Sequence, residues 1–142
     1  MTEIAFHFNV PDKLAYACRL LRKAHRNGAE VGVVGPAPLL GELDRALWSF
    51  EPLEFIPHAS ARLASSALAP HTKMWLAAQA ADVPHHAVLV NLSESVPEGF
   101  ERFDRLIEIV SVENDDRQAA RQRWKHYSDR GYGIVRHEVG AA

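Results

Sequence analysis

Apolar runs too short for helices, alternating with amphipathic helical periodicity, constrain this chain more than any other feature. Ile4-Ala5-Phe6-His7-Phe8 alternates large with smaller or polar side chains, as a half-buried strand does. Asn9-Val10-Pro11-Asp12 then supplies turn and cap chemistry. Leu14, Ala17, Cys18, Leu21 and Ala24 follow at helical spacing until Asn27-Gly28, either of which can take the left-handed cap conformation. Val31-Gly32-Val33-Val34 reads as a strand buried on both faces. Pro36-Ala37-Pro38 opens a second helix that carries Leu39, Leu40, Leu43, Ala46 and Leu47 to Trp48. Strand, helix, strand, helix is the pattern of parallel crossover units, which lay helices on a sheet. It predicts an α/β fold, a doubly wound, mostly parallel sheet covered on both faces.

The remainder extends that pattern. Leu53 to Ile56 fits a short strand ended by Pro57, and Ala59 to Pro70, rich in Ala and Ser, fits loop or weak helix. Further strands are predicted at Lys73–Ala77, Ala87–Asn91 and Arg105–Val110, with a closing edge strand at Gly133–Arg136. Asp115 to Asp129 is a predicted helix, acidic in its first turn and followed by Arg130 and Gly131, the polarity the helix dipole favours. The 142 residues suit one domain, and 47% apolar with 24% charged residues argues against disorder. No run approaches the ~20 apolar residues of a membrane span, and the N-terminus reads as strand rather than signal peptide. A soluble, cytoplasmic protein is expected.

Most chemistry that such a sheet supports lacks its sequence signature. The turn after the first strand has no glycine to admit a pyrophosphate. The turn after the second contains Gly32, Gly35 and Gly41, but no Lys-Ser or Lys-Thr follows, and Pro36 and Pro38 remove amide donors. Tight strand-to-helix packing explains those glycines better than a phosphate cradle. A nucleotide-binding enzyme or sensor is therefore the second choice. The eight histidines include no pair at metal-binding spacing on a predicted helix, and His58, His71, His85 and His86 read as surface loop residues. No metal or cofactor is expected. The single Cys18 excludes an internal disulfide and lies on an apolar stripe, as a small core residue would. No catalytic residue is assigned.

Two segments stand apart. Leu43 to Phe50, continued through Phe55-Ile56-Pro57-His58, concentrates large aromatics at a helix end, which suits either core packing or a partner-facing patch. The second is the last helix. At 100° per residue, Arg117, Arg121, Trp124 and Ser128 fall within about 60° and form one stripe. Ala119, Ala120, Arg123 and Tyr127 occupy the neighbouring sector, whose alanines and tyrosine suit packing on the sheet. From Arg117 to Arg136, six cations face only Asp129, a local +5 inside a chain of formal charge −2. An aromatic between two arginines suits a short peptide that carries both an aromatic side chain and an acid. Single-stranded nucleic acid is the rival ligand, for which one aromatic is a poor stacking platform.

These segments resemble the chi subunit of bacterial DNA polymerase III. The matching stretches are Leu43-Asp44-x-Ala46-Leu47-Trp48 with Phe55-x-Pro57-His58, and Arg121-x-Arg123-Trp124-Lys125-x-Tyr127 with Gly131-Tyr132. The order of elements and the length agree as well, so one chi-like domain is expected over residues 1–142. The resemblance implies a Rossmann-like, three-layer fold without a nucleotide role, and a non-catalytic adaptor. It further implies that the chain pairs with the psi subunit, which tethers it to the clamp loader, and grips the acidic C-terminal tail of single-stranded DNA-binding protein. DNA is then engaged only indirectly, and no membrane is involved. By this resemblance Arg117, Arg121 and Trp124, with Ser128 on the same stripe, form the tail site, and Trp48, Phe55, Pro57 and His58 form the psi-facing region. Trp124 stands where the family usually has a tyrosine, keeping an aromatic wall but losing a hydroxyl.

Overall fold

The computed structural model describes residues 1–49, 58–60 and 73–139. In chain order the elements are β1 (Glu3–Val10), α1 (Lys13–Arg26), β2 (Val31–Val34), α2 (Ala37–Ser49) and β3 (His58–Ser60). They are followed by β4 (Met74–Ala77), β5 (Val88–Asn91), β6 (Arg105–Ser111), α3 (Asn114–Asp129) and β7 (Ile134–Glu138). Among the described residues, seven strands join one sheet in the order β3-β4-β2-β5-β6-β1-β7. Every pairing is parallel, so each connection must cross a sheet face or edge. The expected α/β, doubly wound, Rossmann-like architecture is present.

Local chemistry explains why the elements begin and end where they do. Asp12 caps α1, its carboxylate accepting from the Ala15 amide at 3.1 Å and satisfying one of the donors a helix leaves free. At the other end Gly28, not Asn27, takes the left-handed conformation (φ +72°), which a glycine adopts without a Cβ clash. Helices cover both faces. Ala17, Cys18 and Leu21 of α1 and Leu43 and Leu47 of α2 pack with Val31, Val33, Val90 and Ile109 on one side. Ala120 and Tyr127 of α3 pack with Phe6, Leu89, Leu106 and Val110 on the other. Val31 through Val34 are buried, as a central strand between two layers requires. Fully burying one such valine side chain contributes roughly 1.5–3 kcal/mol relative to exposure.

Gly32 confirms the packing role of one sequence glycine. A Cβ built there would lie 2.6 Å from Val83 Cγ1, so only glycine lets the segment after the short 3-10 turn at Ala80–Asp82 lie against β2. The structure departs from the sequence reading at β3. His58-Ala59-Ser60 has no apolar alternation, and Ala59 was expected in loop or weak helix; hydrogen bonding to the edge of β4 makes it strand. The strand expected at Leu53–Ile56 lies outside the described residues, as does the segment from 61 to 72. The other predicted elements are present within three residues at each end.

Candidate functional site: a cationic pocket between α3 and the sheet edge

The orientation of α3 is fixed from inside the molecule. Glu108, the single carboxylate in the apolar run of β6, points toward α3 and is fully buried. It accepts from Arg123 Nε at 2.9 Å, from Tyr127 Oη at 2.5 Å and from Asn91 Nδ2 at 3.0 Å. Arg123, only 1% exposed, donates through Nη1 to the Glu94 carbonyl at 2.9 Å. Burial drives the Glu108 carboxyl upward from its ordinary pKa, and Arg123, then Tyr127 and Asn91, oppose it. Burial, reinforced by Glu108, likewise raises the Tyr127 hydroxyl far above its usual range, so it stays a donor. The sequence reading counted Arg123 toward the local +5 and assigned it no inward partner; the structure buries it against Glu108, so it adds nothing to the surface charge. Its partner lies on a different element, and the signal was Glu108 interrupting Leu106-Ile107-Glu108-Ile109-Val110.

With Ala120, Arg123 and Tyr127 turned inward, Arg117 and Arg121 are exposed and Trp124 is half-buried. A cavity of about 390 Å³ opens among these three residues. Its apolar floor is Val110 and Ala120, and Phe8 of β1 forms a wall. The indole of Trp124 leans on Phe6 and Phe8, with ring centroids 5.1 and 6.0 Å away. Contacts of this kind hold a ring in place without sealing it. The structure adds a residue that helical spacing did not reveal. Register pairing sets Arg136 of β7 opposite Phe6 of β1, and its guanidinium carbon lies 5.2 Å from the Phe8 centroid and 5.9 Å from that of Trp124. Glu138 also borders the cavity, where Asn9 Nδ2 donates to its Oε1 at 2.6 Å. Asn9 reaches that position from a left-handed backbone (φ +59°), a conformation asparagine tolerates better than most residues.

Three arginines around an accessible indole, with one carboxylate already occupied, can receive an anionic group that carries an apolar or aromatic side chain. Arg117, Arg121 and Trp124 are therefore brought together, whereas Ser128 is exposed one turn further along α3 and does not border the cavity. In the other predicted region, Phe55 and Pro57 lie outside the described residues. Trp48 is in the last turn of α2 and His58 begins β3; only their backbone positions are described.

A larger crevice, about 1520 Å³, lies at the C-terminal ends of the strands, where open α/β sheets commonly hold ligands. Its walls include Glu94, Glu98, Glu113, Asp115 and Asp116, and Pro36 has no amide to offer. An acidic rim repels phosphate, so size does not make this crevice the better site for an anion. Among the described residues no group of three or more His, Cys, Asp or Glu side chains is placed to hold a metal ion. His85 is half-buried rather than a free surface residue, its Nδ1 accepting from the Ala87 amide at 3.2 Å.

Comparison with known proteins identifies the family. The family model described as DNA polymerase III chi subunit, HolC, matches residues 1–135. A Pseudomonas aeruginosa protein named DNA polymerase III subunit chi is 35% identical over 130 residues, covering 89% of this chain and 87% of that protein. A Haemophilus influenzae protein of the same name is 26% identical over 125 residues, covering 87% and 85% respectively. The chain belongs to the DNA polymerase III chi subunit family.

Proposed function

We propose that this chain is a non-catalytic adaptor of the clamp-loader assembly, linking the psi subunit to the acidic C-terminal tail of single-stranded DNA-binding protein at the bacterial replisome in the cytoplasm. The observation that carries the tail half of this reading is the pocket beside Trp124. It combines apolar depth with Arg117 and Arg121 at its mouth and little opposing charge. The tail's acids pair with the arginines, and its terminal aromatic packs beside the indole. Both guanidiniums are exposed before binding, so losing one should weaken the complex by about 1–2 kcal/mol, below the cost of removing a fully desolvated charge pair. Pairing at an exposed mouth is also screened, so affinity should decline as salt rises. The psi half rests on the resemblance at Trp48, Phe55, Pro57 and His58. A pull-down with intact single-stranded DNA-binding protein, and with the same protein lacking its last few residues, tests the tail reading. Retention of only the intact protein supports it, and equal retention of both opposes it.

A further inference from the structure

Among the described residues, Arg136 is the one cation bordering the pocket that comes from the sheet rather than from α3. Building on the tail-binding reading, we propose that Arg136 receives a carboxylate of the bound acidic peptide, completing a three-arginine site that α3 supplies only in part. Its guanidinium carbon lies over the Phe8 and Trp124 rings, 5.2 and 5.9 Å from their centroids, and the side chain is exposed, so its N–H groups are open to an incoming acceptor. Among the described residues it makes no ion pair, and the adjacent Glu138 carboxylate is held by Asn9. Cation–π attraction to two rings, whose centroids are 6.0 Å apart, favours the side-chain position beside the pocket before the peptide arrives. Less conformational freedom is then lost on binding than for an unsupported arginine. The family match ends at residue 135, so it assigns nothing to this position.

The opposite role would be a lid, because the guanidinium covers the indole on which an incoming aromatic could pack. The two roles predict opposite signs. Titrate the full-length chain with a fluorescent peptide of the partner's C-terminal tail, in three forms: free terminal carboxylate, amidated terminus, and side-chain acids replaced by amides. Arg136→Ala should weaken binding of the free-carboxylate peptide about tenfold, the equivalent of about 1.4 kcal/mol. Arg136→Lys should fall between, keeping the charge but not the planar fork that pairs with both oxygens of a carboxylate. Arg105→Ala, which removes a cation paired with Glu3 at 3.6 Å outside the pocket, should change nothing and controls for net charge. Whichever peptide neutralisation loses its effect in Arg136→Ala identifies the carboxylate, since coupled groups are not additive. Unchanged or tighter binding by Arg136→Ala, or full additivity with both altered peptides, overturns the role of Arg136. If Arg121→Ala is still impaired in that case, the tail-binding reading stands. If wild-type protein binds no form of the peptide, both are overturned.

Discussion

Replacing Arg123 with methionine should destabilise the fold by about 3–4 kcal/mol at pH 7, and by distinctly less at lower pH. The substitution keeps most of the aliphatic stem but removes the positive partner that Glu108, 0% exposed, has among the described residues. Tyr127 and Asn91 still donate to the carboxylate, yet neither neutralises it. Breaking a buried pair from one side typically costs about 3–5 kcal/mol. An upper limit follows from protonation: neutralising a carboxyl of ordinary pKa about 4.3 at pH 7 costs about 3.7 kcal/mol, and the fold never needs to lose more than that through this charge. Loss of the Arg123 bond to the Glu94 carbonyl adds about 1 kcal/mol where water cannot replace it. Burial already raises the folded carboxyl when Arg123 is present, and removing Arg123 raises it further, so the variant's folded state holds the extra proton up to a higher pH than wild type. Its deficit therefore grows as pH rises and shrinks as pH falls toward the unfolded pKa. Urea unfolding followed by circular dichroism at pH 7 and pH 5.5 measures both effects. A variant within 1 kcal/mol of wild type at pH 7, or a deficit no smaller at pH 5.5, refutes this account of how α3 is oriented.

Three further outcomes are expected. His7, held against Tyr16 and near His137 and Lys23, has its pKa lowered to about 4, first by burial and then by those charges. An unfolded histidine titrates near 6.5, so below that pH the unfolded chain binds a proton that the fold refuses, and stability falls as pH drops toward 4. With allowance for partial exposure the loss from pH 7 to pH 5 is about 1 kcal/mol; His7→Leu should flatten, not abolish, that slope in thermal melts, because burial lowers His85 too. Gly32→Ala forces a methyl against both Val83 methyls and should cost about 1–3 kcal/mol in denaturant unfolding; a neutral result contradicts the close packing. Phe55→Ala should abolish psi capture while sparing tail binding, and loss of both with an unchanged circular dichroism spectrum would contradict two separate surfaces.

The residues differ in how openly they declare their roles. α1 is legible because its cap at Asp12, its apolar stripe and its stop at Gly28 are all encoded within one segment. The valine run of β2 is equally direct, since burial on two faces needs no partner to be recognised. β3 is not legible, because His58-Ala59-Ser60 becomes strand only by pairing with β4. The pocket was half legible. Helical periodicity gathers Arg117, Arg121 and Trp124, but it cannot say that Arg123 turns inward to Glu108, fifteen positions earlier on another element. Nor can it place Arg136 over the indole, which requires β7 to pair with β1 in a particular register. Both omissions concern contacts between α3 and strands of the sheet, set by packing and register, which one-dimensional spacing does not carry.

The central claim is that the face of α3 bearing Trp124 accepts an acidic chain end. Isothermal titration of the protein and of Arg121→Ala with a tail peptide, at low and at physiological salt, addresses it most directly. The account predicts wild-type binding that weakens with salt, and a loss of about five- to thirtyfold in the variant, equivalent to about 1–2 kcal/mol. Equal affinity of the two proteins, or binding indifferent to salt, would contradict it.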